Sequence, residues 1–207
     1  MGSVSSSSGC CPVEASRLPF NVDSAGGLRL RRLATNQLTA RETTAIRALL
    51  EAAFGDDPDE RFRDDDWDHA LGGVHYVLDD GEEIVGHAAL VEREIHVAGL
   101  ALRTGYVEAV ATAPDRQGRG LGSRILTEVA ADIRARFELG ALGTARHTFY
   151  ERLGWLRWRG PSAVRGPMGE RRTPDEDGYI LVLPTPSSPP LDLDAPISCD
   201  WRAGDVW

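Results

Sequence analysis

The stretch YVEAVATAPDRQGRGLGSRIL, residues 106–126, begins as one kind of structure and ends as another. Apart from Glu108, residues 106–112 are β-branched, aromatic or small, as a buried strand requires. From Gly120 onward the apolar residues Leu121, Ile125, Leu126, Val129, Ile133 and Phe137 recur at helical spacing. Only APDR and a glycine-rich turn separate the two. A helix start exposes unpaired N–H groups and partial positive charge. Glycines there let the main chain approach an anion closely. QGRGLG, with Gly118, Gly120 and Gly122 alternating with Arg119 and Leu121 behind Gln117, therefore reads as a pyrophosphate cradle. It is not a Walker loop, which needs a Lys-Ser/Thr pair, nor G-x-G-x-x-G, since the third glycine comes one position early.

Glu108 interrupts the strand. Side chains alternate faces along a strand, so Tyr106, Glu108 and Val110 are expected on one face and Val107, Ala109 and Ala111 on the other. A carboxylate on a central strand needs partners or water. It fits either a solvated sheet end or a cleft in which it holds an amine and takes its proton.

Outward from this stretch, residues 1–26 are polar and Ser/Gly-rich and are expected to be a disordered tail. The remainder, 27–207, makes one domain. GLRLRRL reads as a first strand, and TARETTAIRALLEAAF as a helix capped by Thr39 with Glu42 three residues on. GDDPDERFRDDDWDHALGG reads as an acidic loop. The strands VHYVLDD, EIVGHAALVERE with IHVAGL, and ALRTGYVEAVAT come next. After the glycine-started helix follow the short strand LGAL, the short helix ARHTFYERLGW ending at Gly154, and the late strands WLRWRG and YILVL. The order is α+β, a strand meander followed by alternating helix and strand.

A net charge of −9 and a pI near 5.0 argue against nucleic acid and anionic membranes as partners and suit a cationic small molecule. No apolar run is long enough to span a membrane, and residues 1–26 lack a signal sequence, so a cytoplasmic location is expected. Cys10, Cys11 and Cys199 and the five histidines show no ligand spacing, so neither a structural metal nor a disulfide framework is expected.

Gln117-Gly118-Arg119-Gly120-Leu121-Gly122 after a strand resembles the acetyl-CoA motif of the GNAT N-acetyltransferases, and FYERLGW at 149–155 resembles that family's second signature. DDDWDHALGG, GYVEAVA, ELGAL, RTPDEDG and CDWRAGDVW, in this order from about residue 28 to Trp207, are similar to the aminoglycoside 2′-N-acetyltransferases. The resemblance implies the GNAT acyl-CoA N-acyltransferase fold, a mixed, mostly antiparallel sheet flanked by helices. It also implies acetyl transfer from acetyl-CoA to an aminoglycoside by direct attack, which confers antibiotic resistance, and by analogy a homodimer. Glu108 would be the general base and Tyr150 the proton donor to the thiolate. Val110, with its backbone N–H toward the thioester oxygen, Ala111, Thr112 and Gln117 to Gly122 would hold acetyl-CoA. Asp57, Asp66, Glu108, Ala109, Gly143, Asp175, Glu176, Asp205 and Trp207 would face the aminoglycoside, the terminal carboxylate of Trp207 adding an anion.

Three departures from the family bear on the preferred drug. They are the insertion DDPDERFR, which makes Asp56, Asp57 or Asp59 the loop's acid, Glu176 in place of an aspartate, and Gly143-Thr144 in place of a serine run. Kasugamycin or another amine remains an alternative acceptor, and a non-catalytic binder of polycations or CoA an alternative class.

Overall fold

The computed structural model describes residues 22–23, 27–55 and 61–207. The expected tail thus lies outside the described residues except for Val22–Asp23 (β1), which pairs antiparallel with Arg29–Ala34 (β2). The meander continues through Val74–Asp79 (β3), Ile84–Val97 (β4) and Leu100–Thr112 (β5). Beyond β5 come Leu139–Gly143 (β6), Leu156–Arg157 (β7), Ser162–Gly166 (β8), Gly169–Arg172 (β9), Ile180–Pro184 (β10) and Ile197–Asp200 (β11). The central order is β1-β2-β3-β4-β5-β6-β10-β7. β5 and β6 pair in parallel. The second half of β4 pairs with β11, which lies parallel to β8, and β8 forms a hairpin with β9.

Helices cover both faces. Ala40–Phe54 (α1) starts as expected: Thr39 Oγ1 accepts the Glu42 N–H at 3.2 Å, and Glu42 Oε2 accepts the Thr39 N–H at 2.9 Å. Asp64–Ala70 (α2) lies within the segment read as an acidic loop, so that reading is corrected. Three aspartates in its first turn favour the positive end of the helix, and Trp67 and Ala70 bury its inner side. Leu121–Arg136 (α3) buries Leu121, Ile125, Leu126, Val129 and Ile133, with Phe137 at its end. His147–Glu151 (α4) follows β6.

β3 shows why its sequence is continuously apolar: Tyr76 and Leu78 join the cluster under α3, while Val77 joins the one under α1. A third cluster gathers Tyr106, Trp158, Cys199 and Trp207 beneath the C-terminal segment. β8, β9 and β11 are additions to the sequence reading. β9 is fully exposed and polar, so it shows no alternation to read.

Candidate active site

Glu108, Gly143 and the C-terminal segment meet where β5 parts from β6. Parallel pairing runs only from Thr104 with Leu139 to Tyr106 with Ala141. β5 then bulges: Ala89 faces Glu108 and His87 faces Ala111 on β4, so Ala109 and Val110 together oppose Ala88. Ala109 takes φ of 50°, the left-handed region that L-residues avoid. The extra residue reverses the alternation beyond it. Tyr106 and Glu108 share the face away from α3, as expected, but Val110 packs with the α3 cluster while Ala109 and Ala111 lie toward α1. The expected grouping of Val110 with Glu108 is therefore corrected. A strict period of two has no place for an inserted residue.

Glu108 is nearly enclosed. Arg202 Nη1 donates to its Oε1 at 2.6 Å, and the two side chains are 14% and 17% exposed, Glu108 and Arg202 respectively. Burial pushes the Glu108 carboxyl above its ordinary range, against the opposing pull of Arg202, Arg93 and His69. The Arg93 and Arg202 guanidiniums lie 4.6 and 5.6 Å from the centre of the Tyr106 ring. Tyr106 Oη, Arg93 Nη1 and Arg202 Nη2 are buried with no protein partner. Polar atoms of this kind are satisfied by water or by a guest.

The C-terminal segment is tied down over this place. Arg93 Nη2 donates to Val206 O at 2.8 Å, Arg202 Nε to Asp205 O at 2.7 Å, and the Trp207 indole to Thr173 Oγ1 at 3.2 Å. Trp207 is 6% exposed, and a methyl group at Gly143 would stand 3.3 Å from its carbonyl carbon. Trp207 and Gly143 are thus together. Asp175, Glu176 and Asp205 converge as well: burial and then the charges of Asp205 and Asp175 push Glu176 up.

Asp66 spends its carboxylate on the Arg63 N–H at 2.7 Å, capping its own helix. It is Asp65 that lies against Gly204, and His69 Nε2 that reaches Ala203 O at 2.7 Å. The Thr144 hydroxyl accepts from the Arg146 N–H at 3.0 Å. Asp56, Asp57 and Asp59 fall outside the described residues.

At the start of α3, Gly120 adopts φ of 80° and Gly118 of 74°, and nothing lies within 4 Å of where their side chains would be. Gly120 offers no capping side chain and no acid stands in the first turn, so the leading amides are left for an anion. Gln117 to Gly120 are exposed; Gly122 packs on Phe149 and Thr112. These residues fit a diphosphate, with the end of β5 leading from it to Glu108. Tyr150 is buried between Phe149 and Trp155, and its phenol is pushed up by burial, hence protonated.

Arg202 and Arg93 have no signal in the sequence as neighbours of Glu108: CDWRAGDVW reads as an ordinary charged segment, and Arg202 stands ninety-four positions from the carboxylate it meets.

Residues 34–157 match the acetyltransferase (GNAT) domain family. Over 201 residues the chain is 42% identical to the aminoglycoside 2′-N-acetyltransferase of Mycolicibacterium fortuitum, covering 92% of this chain and all of the relative. Its fold is similar to that of YhbS, a GNAT family N-acetyltransferase from Escherichia coli solved in complex with CoA. There the TM-score is 0.58 and the identity 16%, over 87% of this chain and 93% of that one. A Brucella melitensis GNAT acetyltransferase in complex with acetyl-CoA gives 0.56 and 18%, over 86% and 97%. The sheet, the glycine-led helix and the full-length likeness agree: the chain belongs to the GNAT acetyltransferases and, within them, to the aminoglycoside 2′-N-acetyltransferase family.

Proposed function

We propose that this protein transfers the acetyl group of acetyl-CoA to the 2′-amino group of an aminoglycoside by direct attack. The observation that carries the reading is Glu108: a nearly enclosed carboxylate on the strand leading to the glycine-led start of α3, paired with Arg202, which also holds the Asp205 carbonyl of the C-terminal segment. Glu108 receives the proton of the substrate ammonium and frees its lone pair. The Val110 N–H, turned by the bulge, receives the charge that grows on the carbonyl oxygen. Tyr150 supplies the proton taken by sulfur as the C–S bond breaks.

Cys199 supports direct attack over an acyl-enzyme. It is buried, its thiol is pushed up by burial, and its S–H donates to Val206 O at 3.2 Å. The acids Asp175, Glu176 and Asp205 suit the remaining ammonium groups of a polycation.

The test is CoA release from acetyl-CoA with kanamycin B, which carries a 2′-amine, kanamycin A, which has a hydroxyl there, and kasugamycin. Release with kanamycin B and none with kanamycin A supports the assignment, and product NMR locates the acetyl group. Release with kasugamycin alone, or with no amine, would overturn it.

A further inference from the structure

Two histidines that the reaction leaves unused lie end to end beneath the bulge. His75 on β3 and His87 on β4 are fully buried on neighbouring strands, His75 opposite Ala89 and His87 opposite Val77. His87 Nδ1 is 2.7 Å from Ala109 O, and His87 Nε2 is 3.0 Å from His75 Nδ1. His75 Nε2 is 2.9 Å from Thr35 Oγ1, which accepts the Gly72 N–H at 2.9 Å. Trp67 of α2 covers both rings, its centre 5.7 Å from His75 and 6.3 Å from His87.

The direction of every bond follows from the ends. A carbonyl only accepts, so His87 carries its proton on Nδ1. Burial pushes His75 down to about 4 and His87 down to about 3, the neighbouring imidazole adding to the second, so both rings are neutral. His87 Nε2 is then a lone pair and takes the Nδ1–H of His75. His75 Nε2 is bare in turn and takes the Thr35 hydroxyl proton, in preference to the more distant Gly73 carbonyl at 3.4 Å. The reverse order would require a doubly protonated His87. One chain of donors thus runs from the loop after α2 to the bulge in β5.

That loop has little freedom to run elsewhere: Gly72 has φ of 82°, and a side chain on Gly73 would stand 2.2 Å from Leu90 O. At the other end, Ala109 holds a left-handed backbone conformation that non-glycine residues avoid, and its carbonyl takes an imidazole N–H.

We propose that His87 is a positioning residue for acetyl transfer: it fixes the Ala109 carbonyl, and so the angles of the Glu108 carboxylate and the Val110 N–H, while His75 and Thr35 hold it in the required tautomer. This rests on the assignment of Glu108 above. The role is not structural filling, because a donor at one ring position is what the bulge needs.

The test combines a spectrum with kinetics. In two-bond ¹⁵N–¹H correlation spectra of the histidine-labelled enzyme, two imidazoles protonated at Nδ1 and bare at Nε2 are expected. A buried histidine with its proton on Nε2 would overturn the chain. His87→Leu is expected to lower kcat by about tenfold to a hundredfold, the scale of a small misplacement of reacting groups, with both KM values nearly unchanged. His87→Asn, whose amide can donate from the Nδ1 position, restores most of it.

If His87→Leu does not fold, Thr35→Val is the second variant, with a lower kcat that Thr35→Ser recovers. Equal rates for Leu and Asn at 87, or a parental rate for Thr35→Val, would overturn the positioning role. A parent enzyme without turnover on any aminoglycoside would refute the assigned reaction, and the positioning role with it, while the tautomer spectrum reports on the chain separately.

Discussion

Replacing Glu108 by Gln separates the chemistry from the fold. The Glu108–Arg202 pair closes to 2.6 Å with both side chains largely enclosed. Unit charges about 4 Å apart near a protein surface attract by about 4 kcal/mol. Most of that is returned in desolvation, as a buried pair generally does, and the upward displacement of the Glu108 carboxyl records the same cost. Gln keeps an oxygen for Arg202 Nη1 and sheds the charge. A charge-assisted bond becomes an ordinary one, a loss of about 1–2 kcal/mol, offset by relief of the desolvation. Glu108→Gln should therefore unfold in urea within about 1–2 kcal/mol of the parent. Glu108→Ala strands a buried guanidinium and should cost about 3–5 kcal/mol.

Turnover behaves differently. Loss of a general base is worth about 10²–10⁴ in rate, or about 3–5 kcal/mol of transition-state stabilisation at 1.36 kcal/mol per decade. CoA release at saturating acetyl-CoA measures it. In the parent, kcat/KM falls as pH drops through the raised Glu108 value, because a protonated carboxyl accepts no further proton; the Gln variant loses that limb. A Gln variant within about threefold of the parent, or one that keeps the acid limb, refutes the assignment of Glu108.

Arg202→Met removes the cation that opposes burial at Glu108, so the acid limb of kcat/KM should move to higher pH; a downward move would sink the pairing argument. Gly120→Ala forces a side chain into the left-handed region at about 1–2 kcal/mol and should raise the KM for acetyl-CoA several-fold while sparing that for the aminoglycoside. Trp207→Ala loses a buried indole, worth up to about 3–5 kcal/mol, and should raise the aminoglycoside KM with little effect on acetyl-CoA; titration calorimetry with each ligand checks both variants. Glu42, against the opposing effect of burial, is held down to about 2 by the Thr39 N–H and Arg31. Its contribution is present above the unfolded carboxylate range and lost as pH falls toward about 2, so Glu42→Gln and the parent should differ in thermal unfolding at neutral pH and converge in acid.

The sequence shows those features whose cause is local. The capping box at Thr39, the apolar stripe of α3 and the left-handed glycines before it depend on neighbours within a few residues, and each stands where its pattern puts it. What required three dimensions was hidden. The bulge at Ala109 has no residue signature, since alanine is not what a left-handed position selects. His75 and His87 meet only because the β3–β4 register brings together residues twelve positions apart. α2 looked like a loop because its aspartates favour the first turn of a helix but give no periodicity over seven residues. Arg202 reaches Glu108 across ninety-four positions, which no local pattern encodes.

The arginine beside the base poses a physical problem, because a guanidinium repels the ammonium that Glu108 is to deprotonate. Without Arg202 and Arg93, however, burial would leave Glu108 protonated over more of the pH range and unable to accept a proton. A carboxylate offers about four lone-pair sites, and Arg202 Nη1 takes one on Oε1, so the amine and the arginine can be held together. The repulsion that remains would be met by Asp175, Glu176 and Asp205, whose mutual crowding favours positive charge arriving there. In the proposed reaction the distant ammonium groups of a polycation would settle among these acids and relieve their repulsion. That binding energy would then drive the 2′-amine against a site already holding a cation. On this reading the acidity of the chain and the arginines at its centre serve the same end: one would draw the substrate in, and the other works against burial in favour of the ionised base.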